Sequence, residues 1–223
     1  MIVVEGLSQS YGKKQILAEV NLVVDKHERC ALVGKNGAGK STLIHSMLGL
    51  LPVKKGSVVL NGIPVRKEQW KPFVSYLPEK FTLYPLLTGW ENIEFFASFA
   101  ENGIDECKIE KTLKDVRLWD DRHARVKSYS KGMLQRLGLA IMLYYDSEIQ
   151  ILDEPTSGLD PIGRREILSI LQTLTNKTIL FSSHHMEEIQ QICTHVAYLE
   201  DGFITKYTVE DFLSKLEEGE IVS

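Results

Sequence analysis

Apolar and polar positions alternate through much of the first third of the chain. The segments KQILAEVNLVVD and GSVVLNGIPV show the two-residue period of half-buried β-strands. The second segment contains Asn61 and Gly62, a residue pair well suited to a two-residue hairpin turn. The pattern therefore predicts an antiparallel β subdomain near the amino terminus.

The period changes between about Thr88 and Tyr145. Here ENIEFFASFA, KIEKTLKDVRLW and GMLQRLGLAIMLYY place apolar residues at intervals of three and four, which predicts helices. The short apolar runs IQIL and TILFSS follow, each with a helical stretch after it, as in a mostly parallel sheet flanked by helices. We expect one α/β domain over residues 1–223 with a helical subdomain inserted at about 88–145. Gln150 interrupts IQIL and predicts a polar or edge-like face on that strand.

Composition narrows the function classes. The chain has 223 residues, 43% of them hydrophobic, and a net charge of −4, so no basic excess indicates a nucleic-acid partner. Cys30, Cys107 and Cys193 are odd in number and widely spaced, which favours neither disulfides nor a metal site and fits a reducing cytosol. Glu5 argues against a signal peptide. The longest apolar candidate, 137–145, is half the roughly 18 residues of a membrane span.

A glycine-rich stretch between a predicted strand and a predicted helix indicates phosphate binding. The sequence GKNGAGKS fits the pattern G-x-x-x-x-G-K-[ST], with CALV before it and STLIHSMLGLL after it. Backbone N–H groups of such a loop and the following helix amino terminus attract anions. We expect Lys40 to reach the β and γ phosphates and Ser41 to ligate Mg²⁺. The predicted nucleotide-binding residues of this loop are Gly34, Asn36, Gly37, Ala38, Gly39, Lys40, Ser41 and Thr42.

Two carboxylates end the apolar strand in EIQILDEPTSGLDP. Asp153 is placed to hold Mg²⁺, and Glu154 to orient or deprotonate an attacking water. Such residues are poor structural choices at the end of a buried strand, because an unpaired buried charge is costly. The pair therefore predicts nucleotide hydrolysis.

A second helix amino terminus also suits an anion. In VKSYSKGMLQRLGLA, Ser130 is a predicted N-cap and Gly132 permits close backbone approach. The chain nevertheless has a single phosphate loop. The sequence alone leaves open whose phosphate this second helix meets.

Together these motifs resemble the nucleotide-binding subunits of ATP-binding cassette transporters. GKNGAGKST matches the family's phosphate loop, ILDEP its second acidic motif, SGLD its aspartate loop, SSHHMEE its switch-histidine region and YSKGMLQR its signature. The resemblance covers essentially the whole chain in family order. It implies a P-loop NTPase core, ATP and Mg²⁺ as cofactors, and head-to-tail dimers in which each signature helix caps the ATP held by the other subunit.

The resemblance assigns further roles residue by residue. It implies that Tyr11 stacks on adenine and that His184 contacts the γ-phosphate. It places Asp160 across the dimer interface, and it places Ser130, Lys131 and Gly132 on the partner's ATP. His185 is expected to start a helix.

Several positions depart from the commonest family pattern. Glu79 stands where a glutamine usually contacts the metal, and it is expected as a third metal-site residue beside Ser41 and Asp153. Within the signature, Tyr129, Lys131 and Met133 replace a leucine, a glycine and a glutamine. Lys131 either attracts the partner's ATP or faces solvent. These variants resemble small bacterial exporters.

The resemblance also implies partners. We expect a second nucleotide-binding subunit, identical or different, and integral membrane permease subunits, with the protein peripheral on the cytoplasmic face of the cell membrane. Eight aromatic residues between Phe73 and Phe99 favour an interface, with Tyr84, Pro85 and Trp90 the predicted docking residues. The alternatives are a soluble cassette ATPase acting on DNA or the ribosome and, with less support, a phosphate-loop kinase.

Overall fold

The computed structural model describes residues 1–221 and contains two sheets and seven α-helices within that range. The strands are β1 (Ile2–Tyr11), β2 (Lys14–Val24), β3 (Arg29–Val33), β4 (Lys55–Leu60), β5 (Ile63–Pro64), β6 (Val74–Leu77), β7 (Ile149–Asp153), β8 (Thr178–Ser182), β9 (His195–Glu200) and β10 (Phe203–Thr208). The helices are α1 (Lys40–Met47), α2 (Gly89–Ala97), α3 (Glu106–Asp115), α4 (Lys131–Tyr144), α5 (Pro161–Gln172), α6 (Met186–Ile192) and α7 (Val209–Glu217).

The smaller sheet is antiparallel and has the order β2-β1-β4-β5. Its β4–β5 hairpin turns at Asn61 and Gly62, whose φ angles of 50° and 79° are both positive. A two-residue hairpin turn with two positive φ angles is the type that asparagine followed by glycine favours. The predicted amino-terminal β subdomain and its hairpin are confirmed.

The larger sheet has the order β10-β9-β3-β8-β7-β6 and is parallel except for β10. Apolar residues pack on both of its faces, which is why β3, β7 and β8 read as nearly continuous apolar runs. The parallel strands β3, β7 and β8 lie side by side, so their carboxyl ends meet at one edge of the sheet. That edge carries the candidate site.

The expectation that β7 has a polar or edge-like face is wrong. β7 lies between β6 and β8, and Gln150 is fully buried at the level of Ser75 and Ile179. Neither polar atom of the Gln150 side chain has a hydrogen-bond partner among the described residues. A single polar residue within an apolar run therefore does not indicate an exposed strand, because sheet order and not local pattern decides which strands are internal.

Helices lie where the sequence predicts a helical subdomain, since α2 begins at Gly89 and α4 ends at Tyr144. Thr88 caps α2 through a capping box with Glu91, and Ser130 caps α4. α4 packs against α2, α3 and β6 and so joins the subdomain to the larger sheet. Within residues 1–221 no helix combines the length and the apolar character needed to cross a bilayer.

Candidate nucleotide site

The phosphate loop connects β3 to α1, and its conformation depends on glycine. Gly37 and Gly39 have φ angles of 82° and 113°, in the region that L side chains rarely adopt. A Cβ atom on Gly39 would also lie 2.8 Å from Cγ2 of Ile16. α1 then begins at Lys40, so its amino-terminal N–H groups point into the concave side of the loop. The loop is thus shaped to receive an anion.

Lys40 lies folded back on this loop. Its Nζ donates a hydrogen bond to the carbonyl oxygen of Gly34 at 2.6 Å. The ammonium group is therefore held beside the N–H groups that would contact phosphate.

The carboxyl end of β7 brings oxygen ligands next to the loop. Oγ of Ser41 lies 3.4 Å from Oδ2 of Asp153, and Oγ of Ser182 donates to Oδ1 of Asp153 at 2.6 Å. Asp153 is only 5% exposed. A buried carboxylate beside a serine hydroxyl is the kind of donor set that Mg²⁺ prefers.

Glu154 and His184 form a pair at the same edge of the sheet. Nδ1 of His184 lies 3.0 Å from Oε2 of Glu154. The backbone N–H of Glu154 donates to Oγ of Ser182 at 2.8 Å, and the φ angle of Glu154 is 48°. A positive φ at a residue other than glycine is uncommon and is often found at functional sites. The arrangement fixes the glutamate and the histidine against each other.

The three predicted metal residues and six of the eight predicted phosphate-loop residues line one cavity of about 250 Å³, whereas Gly34 and Ala38 do not line it. It is lined by Ile16, Asn36, Gly37, Gly39, Lys40, Ser41, Thr42, Glu79, Asp153 and Glu154. Glu79 thus lies in the same cavity as Ser41 and Asp153, and its role at a metal site stays a prediction. The structure gathers these residues from four separate parts of the sequence.

A second cavity of about 420 Å³ adjoins the first and shares Ile16, Asn36 and Gly37 with it. Its lining also includes Ala38 and Lys14. Tyr11 pairs with Lys14 in the β1–β2 hairpin, and its ring is largely exposed. Tyr11 lines neither cavity, so its role in adenine stacking stays a prediction.

The signature residues begin α4 outside the phosphate cavity. Ser130 caps the helix by accepting a hydrogen bond from the N–H of Met133 at 3.2 Å. The Lys131 ammonium lies against Gly158, since a Cβ atom there would be 2.2 Å from its Nζ. A Cβ atom on Gly132 would meet nothing closer than 3.9 Å, so the helix start is open on that side.

The structure explains why tyrosine is accepted at the first signature position. Tyr129 is 8% exposed, and its hydroxyl donates to the carbonyl oxygen of Asp121 at 2.8 Å. Gly89 provides the space, because a Cβ atom there would lie 2.3 Å from that hydroxyl oxygen. Burial raises the pKa of Tyr129 to about 12. The hydroxyl therefore stays protonated as a donor near neutral pH.

Asp160 and His185 both lie at helix starts. Oδ1 of Asp160 accepts a hydrogen bond from the N–H of Gly163 at 2.8 Å and caps α5. His185 precedes α6, as expected. Within one chain Asp160 thus has a structural role, and its place at a dimer interface stays a prediction.

Sequence reasoning missed three polar residues that support the site: Ser182, Ser183 and Glu188. All three were read only as part of the switch-histidine motif SSHHMEE, with no role of their own. The sequence did contain a signal that Glu188 is buried. It lies beside Ile189 and one helical turn before Ile192, on the buried side of a short helix.

The motifs and this geometry can be set against known proteins. A protein-family model described as "ABC transporter" matches residues 17–157, more than half of the chain. The chain belongs to the ABC transporter family. It is 37% identical over 206 residues to the uncharacterized ABC transporter ATP-binding protein YdbJ of Bacillus subtilis (strain 168). The aligned region covers 90% of this chain and 67% of the relative. It is 34% identical over 220 residues to the lantibiotic transport ATP-binding protein SrtF of Streptococcus pyogenes, which covers 98% of this chain and 95% of the relative.

Solved structures show the same cassette fold. An ATP-binding subunit of an ABC transporter superposes with a TM-score of 0.84 at 29% identity, covering 98% of this chain and 93% of the other. A dimeric bacterial ABC transporter cassette, MJ0796, superposes with a TM-score of 0.83 at 23% identity, covering 94% and 99%. The P-loop fold of an ABC ATPase is confirmed. The chain spans between 55% and 95% of the length of the curated relatives it matches.

Proposed function

We propose that this chain is the ATP-hydrolysing subunit that supplies energy to an ABC transporter. Gly34 to Thr42 bind the phosphates, with the N–H groups of the loop and Lys40 as donors. Glu154 acts as the general base toward the attacking water, held by its contact with His184. His184 in turn contacts the γ-phosphate, and Tyr11 stacks on the adenine.

The residues present fit a magnesium ion. The Ser41 hydroxyl and the Asp153 carboxylate approach each other to 3.4 Å, and Glu79 lines the same cavity. These are hard oxygen donors, which Mg²⁺ prefers together with phosphate oxygens and water. At this position such an ion would neutralise charge on the phosphates. Ser41 and Asp153 are its proposed ligands, with Glu79 as a third.

One observation carries the proposal of a head-to-tail dimer. Among the described residues that line the phosphate cavity, none belongs to the signature, although Ser130 begins a 14-residue helix with an open amino terminus. That amino terminus is suited to an anion that its own loop does not supply. Ser130, Lys131 and Gly132 therefore complete the ATP site of a second subunit, and Asp160 lies at the interface. The cassette of similar fold that is dimeric supports a dimer of this chain.

The same proposal includes integral membrane permease subunits and a place on the cytoplasmic face of the cell membrane. A cavity of about 430 Å³ between β6 and α4 is lined by apolar side chains such as Phe81, Phe96 and Ile141. Tyr84 is exposed nearby and stacks edge-on against Phe95. Trp90 is partly buried and packs against Trp119, which leaves Tyr84 and Pro85 as the better docking candidates.

The names of relatives favour transport over action on DNA or the ribosome. SrtF is named for lantibiotic transport, and YdbJ as an ABC transporter ATP-binding protein. We therefore propose an export system, in line with the exporter-like signature. Purification of the native complex with its membrane companion tests this part.

The central experiment replaces Glu154 with glutamine. Glu154→Gln is expected to bind ATP normally, because the phosphate loop is unchanged, and to hydrolyse it roughly 10²–10⁴-fold more slowly, because the general base is lost. The ATP-bound variant is expected to accumulate as a dimer on size exclusion. The matched control is Glu148→Gln, an exposed glutamate just before β7, which should behave as the wild type. A strictly monomeric ATP-bound Glu154→Gln protein would contradict the dimer.

A further inference from the structure

Glu188 is a buried carboxylate for which the proposed reaction gives no direct use. It is the third residue of α6 and is only 3% exposed. Burying a charged group is costly unless it is hydrogen-bonded. Its Oε2 accepts two hydrogen bonds, whereas its Oε1 has no partner among residues 1–221. Both bonds to this side chain thus converge on one oxygen atom.

The two donors come from different segments. Oγ1 of Thr156 donates to Oε2 of Glu188 at 2.8 Å, and Oγ of Ser183 donates to the same oxygen at 2.7 Å. Oγ of Ser183 also accepts a hydrogen bond from the N–H of His185 at 3.1 Å. Thr156 and Ser183 are both at most 1% exposed. This network is therefore closed to solvent and holds both hydroxyl groups in one orientation.

The two segments are those that carry the site's Glu154–His184 pair. Thr156 follows Glu154 by two residues, and Ser183 directly precedes His184. Through these two hydrogen bonds, Oε2 of Glu188 connects the segment that follows Glu154 to the segment that precedes His184. The 3.0 Å contact between Glu154 and His184 connects the same two segments on their solvent side. One buried oxygen atom thereby connects the two segments that carry the pair.

We propose that Glu188 is a positioning residue that sets the geometry of the Glu154–His184 pair through Thr156 and Ser183. This inference rests on the proposed function of that pair in ATP hydrolysis. Glu188 itself does not line the phosphate cavity. Its effect is expected on the chemical step and not on nucleotide binding.

The first test separates kcat from KM. Glu188→Ala should lower kcat roughly 10- to 100-fold, because small displacements of reacting groups cost about that much. KM for ATP should change by less than about twofold, since the contacts of the phosphate loop are unchanged. Glu188→Gln should stay within about threefold of the wild type, because one amide oxygen can still accept both hydroxyl bonds. Glu187→Ala, an exposed glutamate one residue earlier, is the matched control and should have wild-type kcat.

The second test is the crystal structure of Glu188→Ala. We expect the separation of Glu154 Oε2 and His184 Nδ1 to exceed hydrogen-bond distance. This readout remains decisive if the wild type fails to hydrolyse ATP, an outcome that would refute the proposed function alone. If Glu188→Ala does not fold, Thr156→Val and Ser183→Ala carry the same two measurements. An unchanged Glu154–His184 distance, or a kcat equal to that of Glu187→Ala, overturns the inference.

Discussion

Ser182 contributes to both acidic residues of the site through one hydroxyl group. It donates to Oδ1 of Asp153 at 2.6 Å and accepts from the N–H of Glu154 at 2.8 Å. Ser182 is fully buried at the end of β8, directly beside Asp153 in the parallel register. At the scale of single residues, the site is therefore held by hydroxyl groups that pair the ends of neighbouring strands.

Ser182→Ala is expected to lower the free energy of unfolding by roughly 1–3 kcal/mol, because it leaves a buried carboxylate oxygen and a backbone N–H without this partner. Urea unfolding measures the difference. Ser98→Ala removes a hydroxyl bond to Phe95 on the exposed side of the helical subdomain and should cost less than about 0.5 kcal/mol. Equal costs for the two variants would refute this role of Ser182.

α4 is the element that joins the signature to the sheet. Its amino terminus carries Ser130, and further along it Gly138 lies against Phe81 and Leu77 at the end of β6. A Cβ atom on Gly138 would come within 2.4 Å of Cζ of Phe81. Close packing of α4 on this edge thus depends on a residue without a side chain.

Gly138→Ala is expected to destabilise the protein by roughly 1–3 kcal/mol, since overpacking outweighs the gain of about 1 kcal/mol in helix propensity. Thermal unfolding of the single and double variants tests the cause. In a Phe81→Ala background the same substitution should lose most of its cost, because the clashing ring is gone. A cost that is unchanged by removing the ring would show that Phe81 is not responsible.

At the scale of the whole molecule, the larger sheet separates two apolar cores. One core lies between this sheet and the helices α4, α5 and α6, and the other between it and α1 with the antiparallel sheet. Cys30 and Cys193 are buried in these cores, whereas Cys107 is exposed on α3. Burial raises the pKa of the Cys30 thiol to about 12 and raises that of Cys193 as well.

Of the three thiols, Cys107 alone should therefore react rapidly with an aromatic disulfide reagent in the native protein at pH 8. The thiolate is the reactive form, and a raised pKa keeps Cys30 and Cys193 protonated up to strongly alkaline pH. All three should react rapidly in denaturant, where burial is lost. Cys107→Ser should abolish the fast phase. Fast native reaction of a second thiol would show that a core opens more readily than its burial indicates.

Much of the fold was predictable because it depends on local patterns. The Asn61–Gly62 turn, the helices between about 88 and 145 and the N-cap Ser130 reflect conformational preferences of neighbouring residues. Gln150 was misjudged because strand order is set by pairing between segments far apart in sequence. Glu188 was missed for the same kind of reason, since its partners lie 32 and 5 residues away.

The sequence by itself determined three features: the order of the motifs, the glycines of the phosphate loop, and the alternation of strands and helices. Each is a local requirement of backbone conformation or of a binding loop. Only the tertiary structure decided which side chains meet at the sheet edge. Parallel pairing of β3, β7 and β8 brings Ser41, Asp153 and His184 together across more than 140 residues. Hydrogen bonds made by the Ser182 hydroxyl and accepted by the Glu188 carboxylate then hold these segments together, and such contacts between remote segments have no local signature.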